Sequence, residues 1–112
     1  VEPEELENAL DALARYASKE ELDELPGELP SVLKQLKGIA DTGGMYEIVA
    51  EETEDGYFVT VYTLRRSRRL GTSRYPGWER TKKIAEIELD EEAVEAVSEL
   101  FETVRERVAS SS

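Results

Sequence analysis

At Gly43-Gly44 the spacing of apolar residues changes from a helical period to a strand period, and at Asp90 it changes back. Helical stripes recur every three to four residues and strand faces every two, so the two patterns cannot share one element. Helices from both ends of the chain must therefore pack on a central sheet. With 112 residues there is room for one domain.

Residues 3–17 read as the first helix. Pro3 fits its first turn, Glu4, Glu5 and Glu7 its positive dipole end, and Leu6, Leu10, Leu13 and Ala17 form one apolar stripe. Ser18-Lys19-Glu20-Glu21 spells a capping box for a short second helix carrying Leu22 and Leu25, which Pro26-Gly27 stops. Pro30-Ser31 opens a third, with Val32, Leu33, Leu36, Ile39 and Ala40 inward and Gly43-Gly44 at its end. Asp90 caps a last helix in which Val94, Val97, Phe101, Val104 and Val108 recur at heptad spacing. In a single helix this short, such a stripe reads as a core face before a dimer seam.

Residues 45–53 and 57–64 are rich in β-branched and aromatic side chains and flank Glu54-Asp55-Gly56. That spacing predicts a three-residue hairpin loop with Gly56 in the left-handed position. The register then sets Thr53 opposite Tyr57 and Ile48 opposite Tyr62. Tyr46, Ile48 and Ala50 would share a face with Phe58, Tyr62 and Leu64, leaving Met45, Val49, Val59 and Val61 on the other. If all helices cover one face, that second set needs a partner chain, so a dimer stays open. A second strand apolar on both sides belongs in the centre. A third strand is expected over 80–89. The expected fold is α+β: a three-stranded antiparallel β-meander packed with helices, in the order α-α-α-β-β-β-α. It divides into a helical part (1–42), a sheet (45–89), a last helix (90–109) and a serine tail (110–112).

The net charge of -12 conceals two opposed regions. Residues 65–83 hold Arg65, Arg66, Arg68, Arg69, Arg74, Arg80, Lys82 and Lys83 against Glu79 alone, a local charge of +7. The other 93 residues carry six cations and 25 acids, or −19. Tyr75 and Trp78 stand among the cations, with Pro76-Gly77 and Gly71 as turn signals. Arginine interleaved with aromatics suits phosphate contact and base stacking. The acidic remainder disfavours tight nucleic-acid binding and favours an acidic protein surface or self-association. The candidate binding residues are therefore Arg65, Arg66, Arg68, Arg69, Arg74, Tyr75, Trp78, Arg80, Lys82 and Lys83. The expected activity is that of a non-enzymatic interaction module or designed scaffold. Nucleic-acid binding through the same arm is the first alternative. The second is a structural domain in which these cations neutralise its own acids. Whether 67–79 projects or folds back is not legible from periodicity.

Helices followed by strands, with a basic arm between the second and third, resemble the layout of histone-like bacterial DNA-bending proteins. Arg74-Tyr75-Pro76-Gly77 would then lie near the arm tip. The acidic body and the missing glycine-aromatic hairpin depart from that pattern.

Several chemistries are excluded outright. Without cysteine or histidine there is no disulfide scaffold, zinc finger, thiol nucleophile or histidine-based triad. Nucleotide-binding and hydrolase signatures are missing, and neither a cofactor nor a metal is expected. Residues 51–56 fail as a calcium loop, since its third position is Thr53 and its twelfth Tyr62. Glu86 and Glu88 share a strand face, as a carboxylate pair would, but read as solvent-facing alternation. No run approaches the ~18–20 apolar residues of a membrane span. The acidic first residues are unlike a leader peptide, so a cytoplasmic protein is expected. Glu outnumbers Asp by 21 to 5, and Asn8 and Gln35 are the only side-chain amides. That profile suits designed and thermophile chains, design being the nearer.

Overall fold

The computed structural model describes residues 1–68 and 73–111. The chain runs α1 (Pro3–Tyr16), α2 (Lys19–Asp23), α3 (Leu29–Asp41), β1 (Met45–Glu52), β2 (Gly56–Arg66), β3 (Trp78–Asp90) and α4 (Glu91–Ser110). The strands form one antiparallel sheet in the order β1-β2-β3, with β2 central, so the fold is α+β as expected. No helix among the described residues is long and apolar enough to cross a membrane.

The helix signals act where their chemistry places them. Ser18 accepts from the Glu21 amide at 3.1 Å while Glu21 accepts from the Ser18 amide at 2.9 Å, a reciprocal cap for α2. Asp90 caps α4 by accepting from the Ala93 amide at 2.8 Å. Gly43 takes φ 81° just past α3, a conformation costly for any side chain with a Cβ. α4 extends one residue beyond expectation, to Ser110, and the Ser111 amide still donates to Arg107 O. Ser112 lies outside the described residues.

The core is a helix layer on one sheet face. Leu6, Leu10, Leu13, Leu22, Leu29, Leu33 and Leu36 meet Tyr46, Ile48, Ala50, Val59, Val61, Ile87 and Leu89 in one buried cluster. Each fully buried leucine contributes about 1.5–3 kcal/mol of transfer free energy. The α4 stripe joins this core through Val94, Val97 and Val104, while Val108 at its end is exposed.

The β1–β2 register differs by one residue from the sequence expectation. Glu52, not Thr53, stands opposite Tyr57, and Ile48 faces Val61, not Tyr62. The cause is the turn. The Thr53 amide donates to Gly56 O at 2.8 Å, so the chain reverses over Glu54-Asp55 and Gly56 is already the first residue of β2. A one-residue slip exchanges the two faces of a strand. Val59 and Val61 therefore join the core with Tyr46, Ile48 and Ala50, while Phe58, Tyr62 and Leu64 share the outer face with Met45 and Val49. Gly56 is required for a different reason from the one expected. A Cβ there would lie 1.9 Å from the Leu89 carbonyl oxygen, so the glycine permits close approach to β3.

The β2–β3 hairpin is longer than expected at its far end, closing with the Ser67 amide on Gly77 O at 2.9 Å. Its register shifts twice, leaving Ile84 and Thr81 as extra residues in β3.

Candidate interaction site

The fold divides the cations of the Arg-rich segment into those that pair with Glu47 and Glu7 and those that do not. The first set surrounds Glu47, a carboxylate on the outer sheet face with no exposed surface. Arg80 donates to its Oε1 at 2.6 Å and Arg74 to its Oε2 at 3.1 Å, and the Arg74 amide adds a bond of 3.0 Å. Burial alone would raise the Glu47 pKa. The Arg74 amide and the two guanidinium groups outweigh it and hold the carboxyl below the ordinary range. Arg80 also lies over the Tyr62 ring, 4.3 Å from its centroid.

Arg74 continues past Glu47 to α1. Its Nη1 donates to Glu7 Oε1 at 2.6 Å and its Nη2 to Glu7 Oε2 at 3.2 Å. The same residues close the open edge of β1. Ala50 N donates to Glu7 Oε2 at 2.8 Å, and Ile48 O accepts from Arg74 Nη2 at 3.4 Å. An edge strand with unpaired amides and carbonyls is a template for unwanted pairing; here a carboxylate and a guanidinium occupy it. The connection is held in this position by Ser73, whose hydroxyl donates to Trp78 O at 2.7 Å.

The second set lies on the distal hairpin. Arg65, Arg66, Arg68, Lys82 and Lys83 are exposed. Arg65 pairs with Glu79 and Lys83 with Glu86, both at the surface, where such pairs contribute little. Arg66 stacks on Trp78, 5.4 Å from its ring centroid. Arg68 and Lys82 enter no ion pair among the described residues. Tyr75 is exposed at the bend, whereas Trp78 is half-buried. Arg69 and the expected turn at Gly71 lie outside the described residues.

Glu47 and Glu7 carry the geometry of this site, and neither stood out in the sequence as a site residue. A signal existed at position 47. It is the one charge inside the apolar run from Met45 to Ala50, where an unpaired carboxylate would be costly. At position 7 there was none, because Glu7 is one of several acids in the first turns of α1.

A cleft of about 750 Å³ lies elsewhere, between the α2–α3 connection, the Glu54-Asp55 turn and the start of α4. Glu88 borders it, but Glu86 and Tyr62 do not, so the two carboxylates do not converge there. No group of acidic side chains among the described residues is placed to hold a metal ion. Comparison with known protein families, curated proteins and solved structures finds no match to this chain.

Proposed function

We propose that the protein is a non-enzymatic interaction module whose distal β2–β3 hairpin contacts an acidic partner. The observation that carries this reading is the division of the cations. Arg74 and Arg80 are spent on Glu47 and Glu7, yet Arg65, Arg66, Arg68, Lys82 and Lys83 face solvent on an otherwise acidic molecule. A local positive surface steers an acidic partner into register. An acidic protein surface fits better than nucleic acid, because Trp78 already stacks with Arg66 and the acidic body repels phosphate.

The test is titration with polyglutamate at low and high salt, read from the single tryptophan, Trp78. Binding is expected at low salt and is weakened by screening. Alanine at positions 65, 66, 68, 82 and 83 together removes it without changing the melting temperature. No binding by the parent at low salt overturns the proposal. Tighter binding to a single-stranded oligonucleotide than to polyglutamate would select nucleic acid instead.

A second reading is favoured by the pairs to Glu47 and Glu7: the segment serves the fold alone, and Arg74 and Arg80 are its working residues. On that reading the five substitutions change nothing in any binding assay.

A further inference from the structure

The ladder between β2 and β3 skips two residues of β3, for two different reasons. The first shift leaves out Ile84, which packs against the core cluster. Burial of that side chain accounts for it. The second shift leaves out Thr81, which is exposed and buries nothing in the core. Its hydroxyl meets Thr63 Oγ1 at 2.8 Å, a contact between exposed groups that water can replace. Without this shift the ladder would continue from Thr63–Lys82 to Leu64–Thr81, Arg65–Arg80 and Arg66–Glu79. Arg80 would then lie on the face of Arg65, away from Glu47 and opposite a like charge. With it, Arg80 stands opposite Leu64 on the face of Glu47. From there Arg80 crosses the central strand, lies 4.3 Å from the Tyr62 ring centroid and donates from Nε to Glu47 Oε1 at 2.6 Å. Glu47 has no exposed surface, so each charged donor replaces hydration it has lost.

We infer that Glu47 is the positioning residue that produces the second shift: by drawing Arg80 onto its own face, it sets which side of the distal hairpin each tip residue occupies. The consequence is which arginine the hairpin shows to a partner, and that clause rests on the reading of the hairpin as a contact for acidic surface. In the observed register Glu79 pairs with Arg65, and Arg66 is exposed over Trp78. In the register without the shift, Glu79 stands opposite Arg66 and Trp78 passes to the other face. A carboxylate on β1 thus fixes the presentation of charge at the end of β3, with Arg80 as the connection.

Exchange of two neighbours tests the inference at constant composition. Arg80→Thr with Thr81→Arg moves the arginine by one residue. Glu47 is then reached without the shift, so the ladder is expected to become regular, with Leu64 opposite residue 81 and Arg66 opposite Glu79. The readout is the cross-strand nuclear Overhauser contact of the Leu64 α-proton, because Leu64 belongs to a non-hydrogen-bonded pair, in which the two backbones approach closely. In the parent this contact is to residue 80, and in the exchanged chain to residue 81. Glu47→Leu alone removes the attraction and should move the contact to residue 81 as well. Circular dichroism checks folding, and the exchanged chain, which keeps a partner for Glu47, decides the matter where Glu47→Leu does not fold. A folded variant of either kind that keeps the contact to residue 80, whatever its stability, overturns the inference, as does an exchanged chain that cannot fold. The contact is read without ligand. A parent that fails to bind polyglutamate therefore overturns the proposed function and leaves the role of Glu47 standing, and an unmoved contact does the reverse.

Discussion

Arg74 and Glu7 stand 67 positions apart in the chain and meet in a two-pronged ion pair, with donor–acceptor distances of 2.6 and 3.2 Å. The contact carries the Arg74 side chain across the edge of β1 and onto α1. It joins three parts of the molecule that share no local sequence: the first helix, the edge strand and the Arg-rich segment. Glu7 holds the guanidinium still more firmly protonated than an ordinary arginine, against a smaller opposing effect of burial.

Loss of Arg74 and Arg80 together should cost more than the sum of the single losses. With one arginine left, Glu47 keeps a charged partner; with neither, the carboxylate loses both guanidinium groups and retains only the backbone amide of residue 74. Removing the partners of a buried charge costs about 3–5 kcal/mol. Urea unfolding of Arg74→Ala, Arg80→Ala and the double variant closes the cycle. Addition of Glu47→Met to the double variant should restore much of the loss, since it removes the stranded charge.

Glu7→Ala should expose the β1 edge. The Ala50 amide loses its acceptor, a loss of about 1–3 kcal/mol if water does not replace it. The open edge then becomes available for pairing between molecules. Light scattering during a thermal ramp should show aggregation setting in at lower temperature than for the parent. Glu7→Gln retains an acceptor and should fall between the two.

Gly56→Ala should be severe for so small a change. The added methyl meets backbone, the Leu89 carbonyl oxygen, which cannot move aside as a side-chain end could. A cost on the order of 3 kcal/mol is expected, at the upper end for single substitutions. Gly27→Ala is the comparison: its φ of 63° is also unfavourable, but its Cβ would meet no atom within 4 Å. The cost there should be smaller, about 1 kcal/mol.

Acid should weaken the fold through Glu21. The Arg107 guanidinium, with the Ser18 amide, holds the Glu21 carboxyl down to about 2 from an ordinary 4.5. The native state therefore binds a proton at Glu21 less readily than the unfolded chain. The stability this contributes is complete above about 4.5 and is lost as the pH falls toward 2. Melting temperatures of the parent and Glu21→Gln should differ at neutral pH and converge across that window. Glu47, also held below the ordinary range, adds to the same acid limb.

The element order was legible because each switch of period carries its own punctuation: Ser18, Gly43-Gly44 and Asp90. The β1–β2 register was not, because Glu54-Asp55-Gly56 allows a loop of two or three residues and only side-chain packing decides between them. β2 is apolar on both faces, so its pattern could not reveal the slip. In the Arg-rich segment, composition marked ten candidates but could not separate Arg74 and Arg80 from the rest. That distinction depends on Glu47 and Glu7, which are distant in sequence and meet the arginines only after the chain folds back.

The two extra residues of β3, Ile84 and Thr81, have a consequence for which changes in length the hairpin can survive. Each reverses the alternation of side chains relative to β2, and together they restore it, so Arg80 and Trp78 return to the face of Glu86 and Glu88. Because neither has a partner in β2, deletion of either would straighten the strand and leave every remaining pair in place, with Arg80 still beside Glu47 and Trp78 beside Arg66. The strand therefore carries one residue of slack on each side of the Tyr62-Thr63 pairs, and can lose either without turning its charged end to the other face.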